Sequence, residues 1–143
     1  METFSLALPI DWNDTDALGH INNLAILRYA QSARVVVSQE MGLVADGRTI
    51  GPILASIQCR FFQPLYYPGT VTIRSRILSV RTTSFVLENE ILSEDGQLAA
   101  RTKDVVVCYD YQARTKLPLP QPVKTRILQV LAPPFEEEEA AQA

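Results

Sequence analysis

The chain has 143 residues, of which 47% are hydrophobic and 20% charged, and its formal net charge is -3. That length supports one domain with a single core. Acids and bases are interspersed, and no basic patch or stripe of the kind that phosphate-dominated nucleic-acid binding needs is present; Arg74 and Arg76 alternate with apolar residues as one face of a strand would.

Cys59 and Cys108 lie far apart without a CxxC spacing, and His20 is the lone histidine, so no metal site is expected. Both thiols read as small buried hydrophobes. Met1 to Ile10 lacks the basic and apolar regions of a signal peptide, and no apolar run approaches the roughly 20 residues of a membrane span. The expectation is a cytoplasmic protein with no membrane insertion and no nucleic-acid partner.

In chain order, Phe4 to Leu8 reads as a strand, interrupted by Pro9 and the polar run Asp11 to Asp16. From Asn22 to Met41 there is no Gly or Pro, and Ile26, Tyr29, Ala30, Ala33 and Val37 recur at helical spacing. Asn22 suits the N-cap, and Gly42 suits the C-terminal stop. Leu24, Leu27, Val35 and Val36 fall elsewhere on the wheel, so this helix is expected to need cover on most sides.

A turn region from Asp46 to Pro52 precedes four strand-like runs. Ile53 to Phe62 is the first. Thr70 to Val80 follows the turn signal Pro68-Gly69, with Val71, Ile73, Ser75, Ile77 and Ser79 on one face. Thr83 to Ser93 and Leu98 to Tyr111 flank a hairpin turn at Glu94-Asp95-Gly96. Val105 to Val107 suggests burial on both faces there. Val123 to Leu131 fits a short helix. Residues 1–131 thus form the domain, and 132–143, with Pro133-Pro134 and Glu136 to Glu139, an acidic flexible tail.

One long apolar helix with no second helical layer is most simply covered by a curved antiparallel sheet wrapped around it, an α+β architecture. Such a sheet leaves a face or an edge open to oligomerisation.

The chemistry concentrates at the start of the helix. Asp14, Asp16, Gly19, His20, Asn22 and Asn23 fall within ten residues beside a very apolar segment. Unpaired N–H groups and the positive dipole end of a helix stabilise an anion. A thioester carbonyl pointed there would have its oxyanion held, while a nearby carboxylate activates water or attacks the carbonyl. Gly19 permits a tight turn and close backbone approach. Asp14, Asp16 and Asn22 serve equally well as loop and capping residues, and the pattern alone does not choose between the two roles.

The segment Asp11-Trp12-Asn13-Asp14-Thr15-Asp16-Ala17-Leu18-Gly19-His20-Ile21-Asn22-Asn23 resembles the signature of hotdog-fold acyl-CoA thioesterases. It is most similar to the 4-hydroxybenzoyl-CoA thioesterase-like family, in its acyl-CoA branch with Asp-x-Asp-x-x-Gly-His-x-Asn-Asn. The likeness continues through Tyr29, Ala33-Arg34, Pro64-Leu65-Tyr66-Tyr67-Pro68-Gly69-Thr70-Val71, Thr83-Ser84-Phe85 and Arg114 to Pro120, covering roughly residues 4–128.

The resemblance implies hydrolysis of an acyl-CoA, with Asp16 as base or nucleophile and the Asn23 backbone N–H as oxyanion donor. It gives His20 and Asn22 the task of shaping the site, and Asp14 that of bracing the loop. It implies a homodimer or a dimer of dimers with sites at the subunit interface, and no cofactor apart from the CoA of the substrate. Arg81, Thr83 and Ser84, in a turn between strands, stand where relatives meet CoA; Arg60 and Arg101 are further candidates for its nucleotide. Phe61 and Phe62 read as core or interface aromatics bordering an acyl pocket, and Trp12 as packed on the helix. Thr70 replaces a common Asp, and Ile26 a common aromatic, which leaves the acyl group open. Action on acyl groups carried by acyl carrier protein, and a non-catalytic acyl-CoA-binding module, are the alternatives.

Overall fold

Alternation of apolar and polar residues builds most of the sheet, and the computed structural model describes residues 1–44 and 49–135. The strands are β1 (Phe4–Pro9), β2 (Ile50–Phe61), β3 (Thr70–Val80), β4 (Ser84–Leu92), β5 (Leu98–Asp110) and β6 (Thr115–Lys116). They form one antiparallel sheet in the order β1-β3-β4-β5-β2, with β6 paired to β5. Two helices, α1 (Asn23–Glu40) and α2 (Gln121–Val130), complete the expected α+β class. Neither is long and apolar enough to cross a membrane.

Helix α1 lies on one face of the sheet through the predicted stripe: Ile26, Tyr29, Ala30, Ala33 and Val37, together with Ala25, are buried. Gly42, at φ +83°, supplies the left-handed residue that ends it, and Leu43 N–H bonds the Ser38 carbonyl at 2.9 Å. The other side of α1 is not covered among the described residues. Leu24 is 78% exposed and Val35 40%.

Along β3, Val71, Ile73, Ser75 and Ile77 are buried as alternation predicts, but Ser79 is exposed. A register shift between Ile77 and Ser79 turns the last residues of the strand over. In β5 the expected two-sided burial falls elsewhere: Leu98, Ala99 and Ala100 are buried in succession, whereas Val105 and Val107 are half-buried beside buried Val106. Valines at the middle of a strand alternate like any others when one sheet face lacks a covering layer.

Helix α2 starts at Pro120, with Pro122 in its first turn, and buries Val123 and Ile127 against Ile77, Phe85 and Val106. Residues 132–135, which the composition assigned to a tail, pack back on the sheet. Ala132 N–H bonds the Ile77 carbonyl at 2.9 Å, and Phe135 is buried with its N–H on Glu88 Oε1 at 2.7 Å. An aromatic ring beneath the Arg76 guanidinium, 4.2 Å away, outweighs the two prolines that suggested a solvated end. The glutamates 136–139 and part of the turn expected from Asp46 lie outside the described residues.

Between α1 and the sheet runs a buried polar chain. Arg34 Nη1 donates to Asp104 Oδ2 at 2.8 Å, and Asn89 Nδ2 to the same oxygen at 3.2 Å and to Thr102 Oγ1 at 3.0 Å. Ser75 Oγ closes the chain on Asn89 Oδ1. Asp104 is fully buried, and its Oδ1 has no hydrogen-bond partner among the described residues. Burial raises the Asp104 pKa, with Arg34 the chief opposing influence. A carboxyl whose folded pKa is raised costs stability as pH climbs through that pKa. Arg34→Met is therefore expected to destabilise the fold by roughly 3–5 kcal/mol at neutral pH, by stranding a buried charge. Urea titration checks this: the loss shrinks at acidic pH, and Arg34→Met with Asp104→Leu recovers most of it.

Candidate active site

The loop before α1 sends its two aspartates in opposite directions. A short 3-10 turn, Trp12–Asp14, begins with Asp11 accepting the Asn13 N–H at 2.9 Å. It turns the Asp14 carboxylate inward, where Oδ2 accepts from Arg28 Nη2 and, at 3.3 Å, from the Tyr29 hydroxyl. Burial and the Asp14 charge push the Tyr29 pKa up to about 12, which keeps the phenol protonated as a donor. Asp14 is thus held as the brace of the loop. Trp12, expected against the helix, is 67% exposed; the turn that buries Asp14 points the indole outward.

Asn22 joins this loop to α1. Its backbone N–H and its Nδ2 both donate to the Asp14 carbonyl, at 2.8 and 2.9 Å, while its Oδ1 accepts the Ala25 N–H at 2.8 Å. Thr15 and Ile21 pair across the loop, leaving residues 16–20 as its tip. There the Asp16 N–H donates to the His20 carbonyl at 2.7 Å, and Gly19 N–H to the Asp16 carbonyl at 3.1 Å. Gly19 has φ +83°, and a Cβ there would meet nothing within 4 Å, so glycine is required by backbone conformation rather than by crowding.

Asp16 is exposed, and one oxygen, Oδ1, accepts the N–H groups of Leu18 and His20 at 2.9 and 3.0 Å. That arrangement fixes the carboxylate while Oδ2 has no hydrogen bond among the described residues. His20 pairs with Tyr66 along the backbone, and their rings meet edge to face at 5.3 Å.

Asp16, His20 and Asn23 line one open cleft of about 260 Å³, with Ile21 and Ile26 beneath and Phe61 to Pro64 opposite. Asn23 is the first residue of α1, and no acidic side chain occupies the first turn. The N–H groups of Asn23 and Leu24 have no acceptor among the described residues, which leaves the positive end of the helix free to meet an anion. Asn22 does not line it; its side chain is committed to the cap. No three His, Cys, Asp or Glu side chains among the described residues are placed to share a metal.

Arg81, Thr83 and Ser84 are not brought to this cleft within one chain. They form the turn between β3 and β4, where Arg81 N–H bonds the Ser84 carbonyl at 2.7 Å. The other end of β3 begins at Thr70, in a pocket that shares Pro64 with the cleft. A strand of this length, at about 3.3 Å per residue, puts the turn roughly 30 Å away. Among the residues that do line the cleft, Gln63 carries no chemical signal in the sequence; only the β2–β5 register, which carries the chain past Phe61 to the loop, reveals it.

Replacing Asn22 by alanine removes the cap and one of two ties to Asp14. A loss of about 1–2 kcal/mol in the urea unfolding free energy is expected, with the site loop loosened at the same time.

A model of the thioesterase-like superfamily matches residues 10–127. No curated protein sequence matches. Among solved structures, a thioesterase superfamily protein from Jannaschia sp. CCS1 is 25% identical with a TM-score of 0.81, covering 90% of this chain and 85% of that one. A 1,4-dihydroxy-2-naphthoyl-CoA thioesterase from Synechocystis is also 25% identical, with a TM-score of 0.77 over 89% of this chain and 96% of its own. A Staphylococcus aureus protein solved in complex with CoA is 13% identical and shares the fold, with a TM-score of 0.85 over 99% and 93% of the two chains. The antiparallel sheet carrying α1 is therefore a hotdog-like thioesterase fold, and the chain belongs to the thioesterase-like superfamily.

Proposed function

We propose that this thioesterase-like protein hydrolyses an acyl-CoA to the free acid and CoA, using Asp16 and the Asn23 N–H. The observation that carries the reading is their convergence: a fixed, exposed carboxylate and the open N-terminus of α1 face one cleft. The thioester carbonyl would sit at the Asn23 N–H, where preorganised donors stabilise the oxyanion. Asp16 would either take a proton from the attacking water or add to the carbonyl carbon itself. Collapse of the tetrahedral adduct breaks the C–S bond, and the sulfur leaves as CoA thiolate, which is then protonated; where Asp16 is the nucleophile this leaves a mixed anhydride on its carboxylate, which water hydrolyses to the free acid and free Asp16. His20 and Gly19 shape the tip that presents Asp16, and Asn22 sets the position of the helix start.

Phe61 and Phe62 give the cleft an apolar wall for an acyl group. The similar Synechocystis protein is a thioesterase of an aryl-CoA, and the Staphylococcus aureus protein was solved with CoA, which supports a CoA thioester here. β2 is an edge strand whose Ile53, Leu54 and Phe61 are 36%, 37% and 47% exposed, and Leu24 and Val35 of α1 are uncovered as well. An unpaired, apolar edge invites a second copy. A homodimer joined along it would complete the wall of the cleft, and a partner chain could bring groups, Arg81, Thr83 and Ser84 among them, that one chain leaves distant.

Two substitutions test the two roles. Asp16→Asn is expected to lower kcat on a panel of acyl-CoAs by about 10²–10⁴-fold, as loss of a positioned base does. Asn23→Pro deletes the oxyanion donor with the helix start kept, since proline is well tolerated at the first helical position and Asn22 is already extended at ψ 156°, and Asn23→Ala, which removes the side chain alone, is its control. A folded protein with kcat down by about 10²–10³-fold is the expected result. Thiol release reads both. Equal activity in parent and Asp16→Asn sinks the assignment, and saturable binding without turnover in the parent would point to a binding module instead.

A further inference from the structure

The wall of the cleft opposite Asp16 and α1 is built from the exit of β2, and one polar side chain stands in it. Phe61, Phe62 and Pro64 make that wall apolar, and Gln63 sits among them. Its position follows from the backbone. The N–H groups of Phe62 and Gln63 both donate to the Ala99 carbonyl, at 2.8 and 3.2 Å, which ends the β2–β5 ladder in a bulge. Phe62 lies beside the guanidinium groups of Arg60 and Arg101, at 5.4 and 5.8 Å from its ring centroid. Alternation then returns Gln63 to the side of α1, and the ring of Pro64 restricts Gln63 to extended backbone.

The same segment is bonded to the loop that carries Asp16. Ile21 N–H donates to the Leu65 carbonyl at 2.9 Å, and His20 pairs antiparallel with Tyr66. Continued by three residues, that antiparallel register brings Gln63 opposite Asn23, and both line the cleft. Gln63 is half-buried, and its carboxamide has no hydrogen bond among the described residues. An amide set in an apolar wall without a protein partner is ready to bond what enters the cleft. The His20 ring, by contrast, lies edge to face on Tyr66, and the Asn23 side chain stands at the helix end itself.

We infer that Gln63 is a positioning residue for the attacking water, and that Asp16 acts on that water as a base rather than adding to the carbonyl. The inference rests on the thioesterase reading above. With the carbonyl oxygen on the Asn23 N–H, a water held between the two walls donates one hydrogen to Asp16 Oδ2 and the other to Gln63 Oε1. Both hydrogens are then taken, and the lone pairs of the water face the carbonyl carbon. The water oxygen adds to that carbon as its proton passes to Asp16. The C–S bond breaks, and the protonated Asp16 gives the proton to the departing thiolate. One water is consumed, free acid and thiol are formed, and Asp16 is again a carboxylate.

Thiol release from acyl-CoA by Gln63→Leu, which keeps most of the bulk and removes both polar atoms, tests this. kcat is expected to fall about 10- to 100-fold, with KM within about twofold of the parent. Gln63→Glu retains an acceptor oxygen, and at alkaline pH its kcat is expected well above that of Gln63→Leu. The double variant, Asp16→Asn with Gln63→Leu, is expected to be no slower than Asp16→Asn alone, because the two side chains act on one water. Circular dichroism and the urea midpoint confirm that each variant keeps the parental fold. An unchanged kcat in Gln63→Leu, a rise in KM alone, or a Gln63→Glu as slow as Gln63→Leu overturns the inference. So does a double variant in which the two losses multiply. Parental activity in Gln63→Leu beside an impaired Asp16→Asn removes this inference alone, whereas parental activity in Asp16→Asn removes the hydrolytic reading and this inference with it.

Discussion

The grip of Asn22 on the Asp14 carbonyl is the constraint on which the site depends. One residue caps α1 through Oδ1 and, through N–H and Nδ2, fixes the loop that carries Asp16. The cap could have satisfied the orphan N–H groups of the first turn by itself. By tying the loop to the same residue, it sets the distance between a carboxylate and the helix end. Asp14 completes the restraint from inside, bound to Arg28 and Tyr29 of α1. Loop and helix therefore move as one piece, and the Asn23 N–H remains open because Asn22 takes the next donor but one.

The rest of the fold holds that piece against the sheet. The core beneath it is apolar around Ile21, Ile26, Leu65 and Ile73, but farther along α1 it admits Arg34, Asp104, Asn89 and Thr102. A buried ion pair of this kind adds little net stability, since desolvation offsets most of its attraction. Its consequence is positional: only one rotation and one depth of α1 bring Arg34 onto Asp104. Helix register and site geometry are linked through the same rigid element.

Much of this was legible in the sequence, and what was not has a physical cause. The buried stripe of α1, the Asn22 cap and the Gly42 stop follow from spacing and local backbone chemistry, which short-range patterns report well. The class of fold followed from one apolar helix among several strands. Ser79 was misplaced because a bulge carries no residue signature there. Phe135 was assigned to a tail because its partners, Glu88 and Arg76, lie on strands remote in sequence. The two aspartates were indistinguishable by composition; the resemblance ranked them, and the fold turns one inward and one outward. Arg81, Thr83 and Ser84 lie at the far end of β3 from the cleft within one chain, a separation that local sequence pattern does not report.

The proposed mechanism asks for few polar groups: one carboxylate, one helix end and an apolar wall. A crystal structure of Asp16→Asn with an intact acyl-CoA tests that claim most directly. The account predicts the thioester carbonyl oxygen at about 3 Å from the Asn23 nitrogen, with the residue 16 side chain facing the carbonyl carbon or a water beside it. An acyl-CoA bound with its thioester elsewhere, or with the Asn23 N–H turned to another acceptor, would contradict it.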